Sequence, residues 1–199
     1  MTEPPGDDAI VAHLRNGDVS ATEHFVRTNI AWMLALARRI VREEARAEDC
    51  VQEAFSSIFK NLGSFRGEAS LRTWMRRIVV NQSLMALRAQ KRTNETPIDD
   101  LLPVFDANGC REEEPWITFE TPEHLLSEAE TRATVLALID ELPDSYRVVL
   151  LMREIEEMPT SEVAGLLGLS EGNVKVRLHR ARSALKKLLE PLLRGGAVR

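Results

Sequence analysis

The chain has 199 residues and a mass of 22.4 kDa, with 44% hydrophobic residues, 29% charged residues and a formal net charge of −5. This composition is typical of a folded globular protein, and two cysteines exclude a disulfide-rich secreted scaffold. No signal peptide, no membrane span of about 18 apolar residues and no Cys/His cluster is indicated, so we expect a cytoplasmic protein without membrane insertion, metal or cofactor.

The small net charge conceals a strong segmental pattern. Residues 66–92 hold seven basic side chains and one acid, and residues 171–199 hold eight basic side chains and two acids, so each block carries +6. Residues 93–130 carry one arginine and 11 acids, a net charge of −10. Because counterion release depends on local charge, two basic blocks suggest two contacts with one polyanion. Two solvated helix faces would give the same charge pattern.

The first two predicted helices are marked by their ends and by their apolar spacing. A short helix is predicted over residues 8–16 with Gly17 as its stop, and Ser20 is predicted to cap the next helix. The apolar residues of this second helix recur with the helical period. They are Val26, Ile30, Met33, Ala37 and Ile40.

The third helix shows the clearest pattern. Its apolar residues between positions 51 and 62 follow the spacing i, i+3, i+4, i+7, i+8 and i+11, and Gly63 follows them. Ser70 is predicted to cap a fourth helix that runs to about Arg92. One side of this fourth helix is mainly apolar. It holds Leu71, Trp74, Met75, Ile78 and Met85.

Helical periodicity is lost between Thr93 and Pro122, where four of the nine prolines lie. A patternless segment of about 30 residues is long for a connection inside one domain, so we interpret it as a linker. Its scattered apolar side chains favour docking on a domain or on a partner. Four more helices are predicted after it, and no strand pattern occurs. The expected fold is all-α, with helical domains over residues 1–92 and 123–199 joined by an acidic linker over residues 93–122.

Residues 160–185 fit a helix-turn-helix. The first helix ends at Gly168, and Ser170 is placed to cap the second. The second helix has an apolar stripe, and the opposite side is polar and basic. This side suits the major groove, where Arg180 could hydrogen-bond guanine and Val176 could contact a thymine methyl group. Its members are Lys175, Val176, Arg177, His179 and Arg180, with Arg182, Lys186 and Lys187 extending the charge.

The fourth predicted helix carries a second candidate surface for nucleic acid. Five of its side chains fall within about 80° of one another on a helical wheel. They are Trp74, Arg77, Asn81, Leu84 and Arg88. An aromatic ring, an amide and two arginines suit opened DNA, where bases stack and arginines hold phosphates, and the preceding loop adds Phe65 and Arg66. A tryptophan in the core beside a solvated basic face would give the same pattern.

Several of these segments resemble one known family. Residues 47–55 read Ala-Glu-Asp-Cys-Val-Gln-Glu-Ala-Phe, residues 65–67 read Phe-Arg-Gly, and residues 73–81 read Thr-Trp-Met-Arg-Arg-Ile-Val-Val-Asn. Together they resemble region 2 of the extracytoplasmic-function (ECF) class of bacterial sigma factors. Residues 142–182, which begin Leu-Pro-Asp-Ser-Tyr-Arg, resemble region 4. The two likenesses span residues 10–92 and 123–193, in the order and with the spacing of the family.

The resemblance implies a non-enzymatic chain that binds core RNA polymerase and directs it to promoter DNA. Region 2 would recognise and open the −10 element, and region 4 would read the −35 element as duplex. An anti-sigma factor is implied as a further partner. The core-polymerase contact carries over to Asp49, Gln52 and Glu53. The −10 contacts carry over to Phe65, Arg66 and Asn81 with Trp74 nearby, and the helix face adds Arg77 and Arg88. The −35 contacts carry over to Lys175, Val176, His179 and Arg180, and the basic face adds Arg177.

Three features depart from the family pattern. Pro159 stands where the family often has Ser, so capping of the next helix is predicted to pass to Thr160. Val176 and His179 are not the commonest residues at their positions, which leaves the −35 sequence open. The linker is longer and more acidic than a minimal one, and we hypothesise that residues 98–120 contribute to autoinhibition or to anti-sigma binding.

Three other function classes account for less of the chain. A conventional helix-turn-helix regulator, which binds operators without polymerase, accounts for residues 123–199 but leaves the Asp49 and Trp74 helices unused. An enzyme is not indicated, because the four histidines lie on separate segments and no phosphate-binding glycine loop or nucleophile elbow is present. An anti-sigma or adaptor protein would need an acidic surface, which only the linker offers.

A redox role for Cys50 or Cys110 is left open, although Cys50 is more simply a small core residue.

Overall fold

The computed structural model describes residues 6–89, 98–102 and 128–195. These residues form eight α-helices and no β-strand, which confirms the predicted all-α fold. The chain divides into two compact units, Met1–Lys91 (unit 1) and Arg92–Arg199 (unit 2). Within the described ranges, no helix combines the length and the apolar character that crossing a bilayer requires.

Unit 1 is a helical bundle in which the second, third and fourth helices each pack against the other two, and the first packs against the second. Its helices are α1 (Asp7–Arg15), α2 (Val19–Val41), α3 (Glu44–Asn61) and α4 (Leu71–Ala89). Full burial of one large apolar side chain contributes roughly 1.5–3 kcal/mol to folding, so the centre of the bundle is its main source of stability. The side chains fully buried there include Met33, Ile40, Ile58, Met75, Val79 and Val80.

Local chemistry sets the boundary between α1 and α2. Gly17 has a φ of +72° and stops α1 as predicted, because glycine adopts this left-handed conformation without steric cost. The prediction that Ser20 caps α2 is wrong. The Asp18 side chain instead accepts a hydrogen bond of 3.0 Å from the Ala21 amide, and α2 begins at Val19. This hydrogen bond also holds the pKa of Asp18 below its ordinary value.

The buried side of α4 differs from the apolar side that the sequence spacing marks. Met85, which belongs to that apolar side, is 62% exposed. Leu84, which the helical wheel places on the candidate DNA face, is buried. The physical reason is that α4 packs against both α2 and α3, so its buried arc runs from Met75 through Val80 to Leu84. In α2, Ile30 is likewise exposed rather than buried, contrary to the periodicity.

Unit 2 is organised around its last helix, because the other three helices of the unit all contact it. Its α-helices are α5 (Glu128–Asp140), α6 (Asp144–Leu150), α7 (Thr160–Leu167) and α8 (Glu171–Gly195). A π-helical turn, Leu151–Ile155, follows α6 directly. A short 3₁₀ turn, Ile98–Leu101, packs against α8. The buried apolar side chains include Leu142, Val149, Met152, Met158, Val163 and Val174.

A buried arginine anchors the turn between α5 and α6. The side chain of Arg147 is 0% exposed, and its guanidinium lies 2.9 Å from the Asp144 carboxylate and 3.8 Å from the Asp140 carboxylate. Asp140 ends α5 and Asp144 begins α6, so one side chain ties both helix ends. Removal of one partner from such a buried pair costs about 3–5 kcal/mol. Arg147 is therefore a structural residue of unit 2 and is inaccessible to DNA.

Candidate nucleic-acid and polymerase interfaces

Three side chains expected at the polymerase contact form one exposed strip on α3. Asp49, Gln52 and Glu53 all face solvent, whereas Cys50 and Val51 beside them are buried. Positions i, i+3 and i+4 are neighbours on a helix surface, so the three side chains are adjacent. Asp49 and Glu53 also line an open groove of about 400 Å³ between α3 and α4. The structure therefore brings these three residues together, and two of them line the groove.

The groove has a charged rim and an apolar component. On the α3 side, Glu43 forms an ion pair with Arg46 at 3.1 Å. On the α4 side, the lining includes Gln82 and the exposed Met85. A flexible methionine side chain adapts to irregular partner surfaces. Gln82 and Met85 were not predicted as interface residues, because helical spacing only grouped Met85 with the apolar residues of α4 and gave Gln82 no signal.

Cys50 lies at the junction of α3 and α4 with only 4% of its surface exposed. Burial raises the pKa of the Cys50 thiol, and the nearby Asp49 carboxylate adds to this rise. The thiolate is the reactive form of cysteine, so a raised pKa makes the thiol unreactive at neutral pH. The surroundings of Cys50 favour a packing role over redox sensing.

The polar residues of the second candidate surface lie on one face of α4. Arg77, Asn81 and Arg88 are all exposed and follow one another at spacings of four and seven residues. Trp74 stands at the N-terminal end of this face and is half-buried. Its ring contacts the Phe65 ring, with centroids 5.6 Å apart. The face thus combines exposed hydrogen-bonding and cationic groups with an aromatic residue at one end.

The loop before α4 directs its two predicted contact residues differently. The Phe65 side chain is only 8% exposed, whereas Arg66 is exposed. Gly67 then reverses the chain with a φ of +73°, a conformation that would strain a residue with a side chain. A contact between the Phe65 ring and DNA requires the ring to leave its site beside Trp74, and this contact stays a prediction.

Two residues of α1 hold this loop, and sequence patterns did not reveal either one. Arg15 donates a hydrogen bond to the Leu62 main-chain oxygen at 2.9 Å, and Asp7 accepts one from the Leu71 amide at 2.7 Å. The partners are separated by 47 and 64 residues in the chain. Such contacts leave no local periodicity, so only the folded structure shows them.

The helix-turn-helix forms with the predicted turn. Helix α7 ends at Leu167 and is capped by Gly168, which has a φ of +67°. The Ser170 hydroxyl accepts a hydrogen bond of 3.2 Å from the Asn173 amide at the start of α8. The predicted capping by Thr160 is wrong. Pro159 occupies the capping position without a side-chain hydrogen bond, and Thr160 is the first residue of α7. Proline fits here because its fixed φ directs the chain into the helix.

The first half of α8 presents the predicted reading residues to solvent. Val174, Leu178 and Ala181 form the buried stripe of this helix. The apolar side chain of Val176 is 53% exposed, which suits a contact with an apolar group of a ligand. The predicted reading residues comprise the exposed Lys175, Val176, His179 and Arg180 and the half-buried Arg177.

Two basic residues of α8 that follow the predicted reading residues bind groups of unit 2 itself. Arg182 forms an ion pair with Glu154 at 2.6 Å. The Lys187 ammonium donates hydrogen bonds to the main-chain oxygens of Asp100 at 3.4 Å and Leu102 at 3.0 Å. Arg182 and Lys187 were expected to extend the basic surface that faces DNA, but in the structure both make contacts within unit 2. The available reading surface is concentrated in the N-terminal half of α8.

Comparison with protein families and curated proteins agrees with this architecture. The model of Sigma-70 region 2 matches residues 25–93, and the model of Sigma-70, region 4 matches residues 132–185. The RNA polymerase sigma-H factor of Pseudomonas aeruginosa is 33% identical over 188 residues, which cover 94% of this chain and 96% of that protein. The ECF RNA polymerase sigma-E factor of Escherichia coli K12 is 31% identical over 196 residues, which cover 98% of this chain and 100% of that protein.

Solved structures share the fold. CnrH, in complex with the cytosolic domain of CnrY, matches with a TM-score of 0.56 and 22% identity over 94% of this chain and 99% of that chain. The sigma factor RpoE, in complex with the anti-sigma factor NepR from Bartonella quintana, matches with a TM-score of 0.55 and 19% identity over 86% of this chain and 98% of that chain. These likenesses concern the fold, and the nearly full-length identities to curated proteins concern the family. The chain therefore belongs to the ECF class of bacterial RNA polymerase sigma factors.

Proposed function

We propose that this sigma factor uses unit 1 to bind core RNA polymerase and to recognise and open the −10 element, and uses unit 2 to read the −35 element. The observation that carries the proposal is that each unit presents one exposed face, on α4 and on α8, which combines cations with side chains of the types that can contact bases. Two such faces fit two contacts with one polyanion. The protein acts in the cytoplasm as a polymerase subunit, without catalysis or a cofactor of its own.

The core-polymerase contact is assigned to the α3 strip of Asp49, Gln52 and Glu53. Two carboxylates on this exposed strip fit a basic partner surface, and the neighbouring groove with Met85 fits an apolar side chain of that partner. Charged groups at an interface mainly set association rate and specificity. Polymerase binding by this strip should therefore weaken as salt increases.

The −10 contact is assigned to the exposed face of α4 and the loop before it. Asn81 can read a base edge, and Arg77 and Arg88 can hold phosphates on either side. Trp74 offers a stacking surface at the end of this face, with Arg66 exposed in the loop. Phe65 supports Trp74 from inside the unit and is also a candidate for the pocket of a flipped base.

The −35 contact is assigned to the first half of α8. Arg180 is proposed to contact guanine, Val176 a thymine methyl group, and Lys175 a phosphate. His179 and the half-buried Arg177 complete this surface. The N-terminus of α8, which the Ser170 hydroxyl caps, is the positive end of the helix dipole and favours a nearby phosphate.

An anti-sigma factor is proposed as a further partner, because one matching sigma factor structure contains the anti-sigma factor NepR. The linker is proposed to help regulate unit 2. Ile98 is buried, and Lys187 of α8 binds the main chain at Asp100 and Leu102. These contacts support an inhibitory role for the start of residues 98–120, and residues 103–120 lie outside the described part of the chain.

The experiment that tests the proposed function is run-off transcription with purified core polymerase on a pooled promoter library, with and without the protein. Specific initiation that depends on the protein is expected, and the enriched sequences would define both promoter elements. Glu53→Lys should weaken binding to core polymerase at least about tenfold, since it places a cation before a basic partner. Glu23→Lys, which makes the same change at an exposed position of α2, is the matched control.

The conventional regulator makes opposite predictions for the same reagents. It predicts dimers and tight binding of the free protein to palindromic duplex DNA, with no initiation when core polymerase is added. It also predicts that Glu53→Lys has no effect on DNA-dependent function. Initiation without tight palindrome binding would exclude the regulator.

A further inference from the structure

We propose that α1 is a brace for the promoter-opening loop, in which Arg15 and Asp7 are positioning residues for the −10 contact. The loop (residues 62–70) joins α3 to α4 and carries Phe65 and Arg66. The inference rests on the proposed role of this loop and of α4 at the −10 element. It assigns to α1 a part in promoter opening, although α1 belongs to neither of the basic faces on α4 and α8.

The first contact of the brace fixes the start of the loop. One terminal nitrogen of the Arg15 guanidinium approaches three main-chain oxygens, those of Leu62 at 2.9 Å, Gly63 at 3.4 Å and Phe65 at 3.2 Å. Main-chain oxygens beyond the end of a helix have no partners within that helix. Arg15 supplies a charged donor to them, and charged donors make the stronger hydrogen bonds. Because Phe65 is one of the three partners, Arg15 directly holds the backbone that carries the Phe65 ring.

The second contact fixes the end of the loop. The Asp7 carboxylate accepts a hydrogen bond of 2.7 Å from the amide of Leu71, the first residue of α4. The Ser70 hydroxyl accepts another from the Thr73 amide at 3.1 Å. A negative group at the positive end of a helix is favourable, so Asp7 complements Ser70 as a cap from another part of the chain.

The two contacts are placed at opposite ends of one rigid helix. Asp7 and Arg15 begin and end α1, and eight residue steps of an α-helix span about 12 Å. The helix therefore sets the separation between the start of the loop and the start of α4. Within this frame Gly67 turns the chain close to α1, where a side-chain carbon built on it would lie 3.9 Å from an Asp8 carboxylate oxygen.

Several features of α1 favour a positioning role over general stabilisation. Only Val11 and Leu14 of this helix are buried, so its contribution to the core is small. The polar side chains at its two ends point to the loop instead. Flipping a base out of the DNA stack costs free energy, which contacts in the pocket must offset. These contacts form fully only if the pocket residues are already held in the correct positions. A loosened brace should therefore impair opening while leaving the α3 polymerase strip intact.

The test compares full-length variants in reconstituted holoenzyme. Arg15→Ala removes the first contact, Arg15→Lys restores a charged donor, and Arg27→Ala is the matched control at an exposed arginine of α2. Promoter opening is measured by permanganate reactivity of unpaired thymines, and core affinity by competition with labelled protein. Arg15→Ala should reduce the opening equilibrium roughly tenfold, which corresponds to the loss of hydrogen bonds from a charged group. Arg15→Lys should recover part of this loss, and core affinity should stay unchanged for all three variants.

A second measurement reads the loop directly. Arg66 is the one trypsin site among residues 62–70, and it is exposed. Arg15→Ala and Asp7→Ala should speed cleavage after Arg66, whereas Arg27→Ala and Asp7→Asn, which keeps an acceptor oxygen, should change it less. Unchanged cleavage in Arg15→Ala would overturn the brace. Faster cleavage with an equal loss of core affinity would reduce it to a general stabilising contact.

One further variant separates failure of the brace from failure of the proposed −10 surface. Asn81→Ala removes a proposed base contact without touching α1. If Asn81→Ala impairs opening and Arg15→Ala does not, the brace is wrong and the α4 surface stands. If neither variant impairs opening, the assignment of the −10 contact to this surface fails and the brace fails with it.

Discussion

The rings of Phe65 and Trp74 meet edge to face, with centroids 5.6 Å apart and planes inclined by 62°. Phe65 belongs to the loop and Trp74 to the first turn of α4, so the contact joins two parts of the proposed −10 surface. Aromatic pairs of this kind contribute about 0.5–1.5 kcal/mol beyond the burial of their area. DNA that draws the Phe65 ring outwards must therefore offset the loss of this contact.

We expect Phe65→Leu to lower the free energy of unfolding of unit 1 by about 1 kcal/mol, because leucine keeps most of the buried volume but loses the edge-to-face contact. Promoter opening should fall more than core binding. Urea unfolding and permanganate reactivity measure the two effects. Phe59→Leu on α3 is the matched control, since the aromatic partners of Phe59 lie on α2 and α3 rather than in the loop. Equal effects of the two substitutions on opening would contradict a special role for Phe65.

Arg180 and Lys175 should differ in what they recognise. Arg180→Ala should cost about 1–3 kcal/mol at one base pair of the −35 element, because a two-bond contact to guanine is lost. Lys175→Ala should weaken all −35 sequences alike and reduce the salt slope of log K by about one. Binding of holoenzyme to a −35 library at several salt concentrations distinguishes them. A uniform loss with Arg180→Ala would show that Arg180 contacts phosphate only.

The contact between the start of the linker and α8 should restrain DNA binding by unit 2. Ile98→Ala removes a buried anchor of the Ile98–Leu101 turn without changing α8. Undocking would move Asp99 and Asp100 away from the basic helix, so we expect the free protein to bind −35 duplex several-fold more tightly. Fluorescence anisotropy with a −35 duplex measures this change, and Leu101→Ala at a half-buried position is the comparison. Weaker binding by Ile98→Ala would indicate that the turn supports α8 rather than inhibiting it.

Arg147→Ala should destabilise unit 2 by about 3–5 kcal/mol, since it leaves the buried end of Asp144 without its cation. Chemical unfolding of the full chain is monitored with one probe in each unit. The midpoint of the unit 2 transition should move to a lower denaturant concentration. Arg132→Ala, at an exposed arginine of α5, should leave that transition in place. If Arg147→Ala lowered the free energy of unfolding of unit 2 by less than about 1 kcal/mol, the Arg147–Asp144 ion pair would not be needed for stability.

Cys50 should resist thiol reagents in the folded protein at pH 7 and react once the chain is unfolded. Burial raises the pKa of its thiol, so the folded state binds this proton more tightly than the unfolded state. The resulting stabilisation is present below the ordinary thiol pKa and is lost as pH rises through the higher folded value. The rate at which a thiol reagent labels Cys50 is measured in Cys110→Ser protein between about pH 7 and pH 10. It tests whether the Cys50 thiol ionises at higher pH in the folded state than in the unfolded state. Rapid labelling at pH 7 would instead support a redox role for Cys50.

Helix ends that depend on a neighbouring residue were largely predictable from the sequence. Gly17 stops α1, Ser70 caps α4 and Ser170 caps α8, because each effect acts over three or four residues. The Ser20 prediction failed for a similarly local reason. Asp18 stands two residues earlier and offers a stronger acceptor to the same group of amides.

Features that depend on tertiary packing were not predictable in the same way. Periodicity shows that α4 has an apolar side, but only its packing against two helices shows that the side turns towards Leu84 and leaves Met85 exposed. The side chain of Arg15 gives no sequence signal because its partners begin 47 residues away. The exposed reading residues of α8 were easier to assign, since the buried stripe of a single amphipathic helix determines its opposite side.

The groove between α3 and α4 has a thermodynamic consequence. Its α4 wall includes Gln82 and Met85, and Asn81 on the same helix belongs to the proposed DNA face. A ligand in the groove would therefore contact the same helix that is proposed to meet DNA, and it could influence the position of that helix. Free-energy linkage requires any such influence to be mutual: if groove occupation strengthens binding to opened DNA by some factor, opened DNA strengthens retention of the groove ligand by the same factor. The affinity for polymerase would then differ between a closed and an open promoter, and this difference would set how readily the protein dissociates after initiation.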